Sequence, residues 1–510
     1  LTGRRARCRL ATVNEPPRQA PVGAGGPAPG ESHPAQASGS AGDARPWSWV
    51  RLLPSVADLV LLGVYRLVSA IPVFDPDLWW HLRTGDLIWA TRRLPRVDIY
   101  SSTAAGRPWL AHEWLSELLL AGGWRLAGME AMGLFQAGML VLAMATVYRH
   151  LRAVGSPFPL SVPLVVVALL LILPNAHPRP YLFTLCFLPL VAYGVDAWGP
   201  RRARTWVLVA VVFALWANLH GGFVFGLGYL GLRALGEAWR ERRLPTTHLA
   251  LLGLATAAVL VNPYGVALLT YPLQYRPGSI HYSLVMEWAS LDFHQPYTWF
   301  VEATFLAAFL AVLLKRQTGW QADLLCILAF GQLAFTSVRN VPLLGVVAAP
   351  ILARHLAAAL PAFLRPDNRV PLRPPGPGAS LVARLGERLR MVLVLDRRLN
   401  GQVWILIALA ASALGLAFRK LPAEAWEPPP PPAMAGMDLP FGAAAFLAQE
   451  PCVGRLLNDY GWGGYLIWRL HPVCPVFVDG RADLYGPTVL EDYATLLRLG
   501  EGWEQLLDAY

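Results

Sequence analysis

Charge is scarce in this chain: 15% of its 510 residues are Asp, Glu, Lys or Arg, whereas 55% are hydrophobic. With a mean hydropathy of +0.41, the chain is too apolar for a soluble protein of this length, which excludes a water-soluble globular fold. Lysine is nearly missing. Of the 43 basic residues only Lys315 and Lys420 are lysines, a bias that reflects GC-rich coding, so nothing is argued from arginine being preferred. Cysteine is sparse as well. Cys186 and Cys326 fall in apolar runs and read as packing residues, while Cys452 and Cys474 share the tail and are free to pair in an oxidising compartment. No signal peptide is recognisable, and the sequence from Leu1 to Tyr510 reads as a fragment at both ends.

What is abundant is apolar sequence in runs near the roughly 20 residues that cross a bilayer. The expected spans are 55–73, 131–148, 159–175, 180–198, 203–218, 221–237, 247–262, 298–314, 320–338, 341–360 and 402–418. The loops between them alternate in character. One set is basic: Arg149 and Arg152; Arg201, Arg202 and Arg204; Arg240, Arg242 and Arg243; Lys315 and Arg316; and the run 361–400. The other set carries DPDLWWHLRTG from Asp75, HPRP from His177, NLHGG from Asn218, NPYG from Asn262, EWASLDFH from Glu287, and Arg339 with Asn340. Cytoplasmic loops collect arginine and lysine, so the motif-bearing set is expected on one outer face. That topology accounts for the net charge of +10 better than nucleic-acid binding does. With the basic, Pro/Gly-rich N-terminus inside, an odd number of crossings puts the C-terminal tail outside.

Residues 1–50, rich in Gly, Pro, Ala and Ser, have too few large apolar side chains for a core and read as a disordered cytoplasmic tail. The bundle is expected over 51–420, a Pro-rich linker over 421–434, and a small extracytoplasmic domain, cut short, over 435–510. In that domain FGAAAFLAQ and VLEDYATLLRL are helical in period, whereas GYLIWRL and PVFVDG alternate like strands, which predicts an α/β unit. The fold class expected is therefore an all-α polytopic membrane protein of about 11 transmembrane helices with a small α/β C-terminal domain.

The first outer loop, 74–130, is long and predicts two amphipathic helices, one from Asp75 to about Arg93 and one from about Trp109 to Leu126 with Glu113 and Glu117 on one face. Trp79, Trp80, Trp89, Trp109, Trp114 and Trp124 predict that both lie at the membrane interface. Asp75, ahead of Pro76, suits a helix N-cap, and Asp77 complements the helix dipole. The competing reading makes one of them a general base, or a cation ligand, at the mouth of a cavity. His81 shares the face of Asp77 one turn on, and Arg83 is placed to meet an anion.

A first span, an outer loop with an acidic pair and interfacial helices, further spans and an outward C-terminal domain together resemble the GT-C superfamily of polytopic glycosyltransferases. DPDLWWHLRTGDLIW, RPWLAHEWLSELLL, LWANLHGGF, NPYG, EWASLDFH and NDYGWGGYLIWRL resemble a bacterial branch of it, over roughly residues 50–510. The resemblance implies an enzyme of the plasma (inner) membrane that takes a sugar from a polyprenyl-phosphate carrier and attaches it, with inversion, to an acceptor outside the membrane: a cell-envelope glycan, lipid or protein. Asp77, or Asp75, matches the first-loop acidic residue at the reacting centre, and Glu113 the second carboxylate. Mg²⁺ or Mn²⁺, if used, falls to Asp77 and Glu113.

On the phosphate side the candidates are His177, Arg179, His220, Arg339 and Arg83. Each has a plainer reading, since Arg179 and Arg339 also suit snorkelling to the interface and His220 suits packing. Asn262 reads first as a helix stop. Acceptor candidates are His81, Asp292 and Asp459; Glu287, Asp292 and His294 also suit capping of a short helix, and Asp459, Asp479, Arg481 and Asp483 also suit turns. The stretch from Asn458 resembles the WWDYG region of oligosaccharyltransferase catalytic subunits but has Asn458 in place of tryptophan, which argues against an Asn-X-Ser/Thr acceptor. No nucleotide-phosphate loop is present, so a nucleotide-sugar donor is disfavoured. A transporter or flippase of lipid-linked glycans is the alternative from another class. It wants charge near the midplane, where Arg66 and Glu302 are the few ionisable residues expected well inside spans. A non-catalytic scaffold of envelope assembly is the third reading.

Overall fold

The computed structural model describes residues 55–68, 75–274, 285–359, 439–449, 452 and 454–510, with 380, 384–385 and 388 as isolated positions. The N-terminal tail, nearly all of the basic run 361–400, the span 402–418 and the linker 421–434 lie outside the described residues.

Helices dominate. In chain order they are α1 (Val56–Val68), α2 (Leu78–Thr91), α3 (Trp114–Ala153), α4 (Phe158–Ile172), α5 (Tyr181–Tyr193), α6 (Ala203–Leu219), α7 (Phe223–Glu241), α8 (Thr246–Val259), α9 (Val266–Thr270), α10 (Pro296–Leu314), α11 (Trp320–Thr336) and α12 (Val341–Ala357). The tail adds α13 (Phe441–Gln449), α14 (Gly463–Leu470), α15 (Ala482–Arg498) and α16 (Trp503–Ala509). Among the described residues 5 helical stretches are long and apolar enough to cross a membrane: Trp114–Ala153, Phe158–Asn175, Tyr181–Trp198, Pro296–Leu314 and Val338–Ala357. Helices α6, α8 and α11 are apolar but shorter. Leu142, Leu170, Val207 and Leu306 are exposed on α3, α4, α6 and α10 although large and apolar, as helices facing hydrocarbon require. Helix α12 forms the centre. Every residue from Val341 to Ala353 is buried, with α4, α10 and α11 packed around it.

The two elements expected at 109–126 and 131–148 are one continuous run, α3, broken at Ala127 and Gly128. Gly128 has φ +54°, a conformation open to glycine and costly for other residues, so the helix changes direction there without ending. Its start is Trp114 rather than Trp109, because Trp109 donates its backbone N–H to the Arg96 carbonyl and so belongs to the loop. Helix α2 begins at Leu78, two residues after Pro76, since Asp75 turns its carboxylate back onto the Asp77 N–H at 2.8 Å.

The tail departs from expectation. GYLIWRL forms helix α14, and PVFVDG is extended but joins only through single bridges of Val476 to Ser101 and Leu456, so no strand occurs among the described residues. The reason lies in what the segment packs against. Gly463 and Gly464 let α14 approach closely, a Cβ on Gly464 meeting the Pro76 carbonyl oxygen at 2.4 Å, and its aromatic residues close on Trp79. Trp79 touches Trp124, Tyr465 and Trp468 at centroid separations of 5.7, 5.4 and 5.0 Å. Trp79, Trp80, Trp109 and Trp124, expected at the membrane interface, thus form a second hydrophobic core shared by the first loop and the tail. Cys452 and Cys474 are paired within this tail.

The helix ends opposite the motif-bearing loops hold a charge network absent from the sequence reading. Arg233 and Arg354 each bridge Asp196 and Asp323, at 2.6 to 2.8 Å, and His355 and His150 add contacts of 3.0 and 3.2 Å. Arg66 and Glu302 are therefore not the main ionisable groups of the bundle. Buried charge persists here because every carboxylate meets two guanidinium groups.

Candidate functional site

The loops bearing chemically loaded motifs converge. The start of α2 supplies Asp75, Asp77 and His81; the approach to α3 supplies His112 and Glu113, and its first turn Glu117. His177 and Arg179 precede α5, His220 joins α6 to α7, and short turns at Met286–Trp288 and Val338–Asn340 bring Glu287 and Arg339. Those last two turns are tied together, since the Ser337 hydroxyl donates to the Glu287 carbonyl at 3.0 Å and Val338 N–H to Ala289 at 3.0 Å.

One half of the site is acidic. Arg179, 5% exposed, lies among Glu287 at 2.8 Å, Asp75 at 3.5 Å and Asp77 at 4.0 Å. Burial pushes the Asp75 carboxyl up, against the pull of Arg179. Burial together with the neighbouring Asp75 charge pushes Asp77 up to about 7. Glu287 feels the same burial, but Arg179 and Arg339 outweigh it and hold its carboxyl below the usual range. Burial works against the Arg179 cation, but its three carboxylate neighbours outweigh it and raise it above the usual arginine value. Asp77 and Glu287 are the reachable members, with 30% and 35% of their side chains exposed against 1% for Asp75.

The other half surrounds Glu113. His220 Nε2 lies 3.5 Å, His112 Nε2 3.7 Å and His81 Nε2 3.8 Å from its carboxylate. Burial pushes Glu113 up, while His112 and Arg339 pull it down. Burial keeps His81 and His220 well below the ordinary histidine value, hence neutral at pH 7. His220 is held from behind, its Nδ1 accepting from Gly222 N–H at 2.9 Å with the Thr184 hydroxyl 2.7 Å away. Gly222 must be glycine, since a Cβ there would meet Thr184 Oγ1 at 2.1 Å.

Arg339 differs from Arg179. Among the described residues no carboxylate lies within ion-pair distance of its guanidinium, which stands 5.7 Å over the Tyr181 ring, while the Tyr181 hydroxyl donates to the Arg339 carbonyl at 2.8 Å. Its charge still reaches Glu113, Glu287 and both neutral histidines. His177 is half-buried and acts electrostatically on Glu287. From this region an apolar groove of about 380 Å³ runs down between α7 and α11, lined by Val224, Gly228, Gly231, Leu235, Phe330 and Leu333. Two of its lining residues connect to the site: Val224 follows the His220–Gly222 turn, and the Leu333 carbonyl accepts from the Asn340 side chain at 3.4 Å.

Other candidates lie apart from this cluster or are committed elsewhere. Arg83 donates to the His471 carbonyl at 2.8 Å, tying α2 to the tail. Asp292 is exposed and accepts from His294 N–H at 3.0 Å and Gln295 at 3.1 Å, which shapes the turn before α10. Asp459 is exposed and caps the Tyr460–Trp462 turn through Gly461 N–H at 2.8 Å. Asn458 is a buried staple, bonded to Val478 O and Phe477 N, each at 2.8 Å. Asn262 likewise closes the NPYG turn on Val259 O at 2.6 Å. Asp479 and Arg481 form a buried pair whose guanidinium lies between the Tyr100 and Trp109 rings and reaches Asp98 at 2.8 Å.

Glu117, His112 and Gly480 were not singled out for function from sequence. The faint signal for the first two is the density of ionisable groups in AHEWLSE; Gly480 had none.

Among the described residues no group of three or more His, Cys, Asp and Glu side chains is arranged to hold a metal ion. Arg179 lies among Asp75, Asp77 and Glu287 and balances their charge. No family model matches this chain, and no curated protein matches it.

Proposed function

We propose that the chain is a membrane glycosyltransferase of GT-C type that transfers a sugar, with inversion, from a polyprenyl-phosphate donor to an extracytoplasmic acceptor. In this reading all eleven expected spans cross the plasma membrane of a bacterium, and the tail lies on the side of the motif-bearing loops.

One observation carries the reading: Arg339, a cation with no carboxylate partner among the described residues, acts on Glu113 and Glu287, and the next residue, Asn340, bonds Leu333 in the lining of an apolar groove. A lipid phosphate has this chemistry, with an anionic head for Arg339 and His177 and an isoprenoid chain for the groove. Asp77, with a carboxyl near 7, is matched to take a proton at neutral pH. As the acceptor oxygen bonds to the sugar C1, its proton passes to Asp77. The C1–O bond to phosphate breaks with its electron pair on the phosphate oxygen, and Arg339 balances the charge that develops there. Glu113 accepts a hydrogen bond from a sugar or acceptor hydroxyl.

The test is transfer of radiolabelled sugar from a panel of polyprenyl-phosphate donors to envelope fractions, with purified wild type and Asp77→Asn, each with and without Mn²⁺. Transfer by wild type that is lost in a folded Asp77→Asn, and is indifferent to Mn²⁺, supports the reading. Transfer that persists in the variant reduces Asp77 to a capping residue. If wild type transfers nothing yet moves a lipid-linked glycan across vesicles, the protein is a transporter; if it does neither, a scaffold.

A further inference from the structure

His81 stands between two carboxylates. Its Nε2 is 3.8 Å from Glu113 and its Nδ1 is 3.5 Å from Glu117 Oε1. The imidazole is 3% exposed and Glu117 is 1% exposed. Among the described residues no hydrogen-bond donor reaches either oxygen of Glu117, and none reaches His81 Nδ1. A neutral imidazole has one N–H and one lone pair, so it donates to one carboxylate and accepts from the other only if that other carries a proton.

The two carboxylates are not equivalent. Glu113 faces His112 and His220 as well as His81, feels the charge of Arg339, and opens to the site. Glu117 faces His81, lies under the carbonyl-to-Gly85 contact of α2 and α3, and has the Tyr100 and Tyr264 phenols as neighbours. The cation that acts on it is Arg481, already bonded to Asp479 and Asp98. An ionised carboxylate without donors in such a place costs several kcal/mol. A protonated one removes that cost and supplies the donor that His81 Nδ1 lacks.

We propose that Glu117 is a protonated positioning residue that donates to His81 Nδ1, so that His81 presents its Nε2–H to Glu113. His220 is set to the same tautomer by an independent route, its Nδ1 accepting from Gly222 N–H beside the Thr184 hydroxyl. The Thr184 hydroxyl is oriented in turn, because it accepts from Trp216 Nε1 at 2.9 Å. Two imidazole N–H groups, fixed from behind by different partners, thus converge on one carboxylate and hold it as the anion that receives a sugar or acceptor hydroxyl. The role of Glu113 in transfer rests on the proposed function; the proton on Glu117 and the tautomers do not.

The experiment uses the full chain in detergent micelles at pH 7. Infrared spectra of wild type are expected to show a protonated buried carboxyl that Glu117→Gln removes and Glu113→Gln does not. Histidine ¹⁵N spectra are expected to show His81 and His220 as Nε2–H tautomers in wild type and in Glu117→Gln, whose amide N–H replaces the acid proton. In Glu117→Leu the His81 tautomer becomes mixed while that of His220 is kept, and kcat falls by about a hundredfold. Glu117→Gln retains activity. Carboxyl absorption left unchanged by Glu117→Gln, or an Nδ1–H His81 in wild type, overturns the proposal, and neither outcome requires Glu117→Leu to fold. If wild type transfers no sugar while the spectra come out as expected, the glycosyltransferase reading falls and the proton assignment stands.

Discussion

Gly480 of the tail presses directly on the carboxylate of Asp77 in the first loop: a Cβ built on it would stand 1.7 Å from Asp77 Oδ1. The segment from Val478 to Arg481 therefore forms one wall of the site, anchored by the buried Asp479–Arg481 pair. Loop and tail meet at a partly exposed carboxylate of the site.

Gly480→Ala is expected to displace either Asp77 or this wall. Overpacking of this kind costs about 1–3 kcal/mol, and transfer should fall more steeply than stability. Thermal unfolding in detergent, measured beside radiolabelled transfer, separates the two effects; a variant unchanged in both would show that the contact yields freely.

Asp77 also predicts a pH dependence of stability. Its carboxyl moves from an ordinary 3.8 to about 7 in the fold, so between those values the native state holds a proton that the unfolded chain has released. Stability therefore falls as pH rises through that window and levels off above it. Asp77→Asn cannot lose that proton, so its midpoint should vary less with pH and exceed that of wild type above about pH 7. Scanning unfolding at several pH values checks both the slope and its sign.

Arg339→Gln should leave the thermal midpoint unchanged, because no ion pair is lost, yet weaken the donor. Losing a charged hydrogen bond of about 1.5–3 kcal/mol corresponds to a rise of about ten- to a hundredfold in the KM for polyprenyl-phosphate sugar. Steady-state kinetics over a range of donor concentrations read this, and an effect on the acceptor KM instead would move the phosphate elsewhere.

Arg354→Met at the opposite helix ends leaves Asp196 and Asp323 each with one guanidinium in place of two. Breaking such a buried pair costs about 3–5 kcal/mol. The double variant Arg354→Met with Asp196→Asn should lose less than the sum of the single changes, which a double-mutant cycle on unfolding free energies measures.

Helix positions were largely legible because apolar periodicity is local. The described helices α3 to α8 and α10 to α12 fall on the expected spans, and the α2 boundary was missed by a few residues only because Asp75 bonds forward to Asp77. Where the alternation in GYLIWRL suggested a strand, the two glycines and the Trp79 aromatic cluster favoured a helix that buries Tyr465, Leu466, Ile467 and Leu470 together. Propensity gave way to tertiary packing.

The sequence by itself determined which loops carry arginine and which carry acids, histidines and turns, and that alternation together with the resemblance to the GT-C superfamily named Asp75, Asp77, Glu113, Arg179, His220 and Arg339 as candidates. It could not decide who partners whom. Arg179 meets carboxylates from residues 75, 77 and 287, and the Glu117–His81–Glu113 series joins two helices, so those ion pairs exist only once distant segments are packed. Arg179 and Arg339 look alike in sequence; tertiary structure spends the first on three carboxylates and leaves the second facing the site. Gly480 is the extreme case, because a residue without a side chain leaves no chemical mark in a sequence, and its importance comes entirely from the carboxylate packed against it.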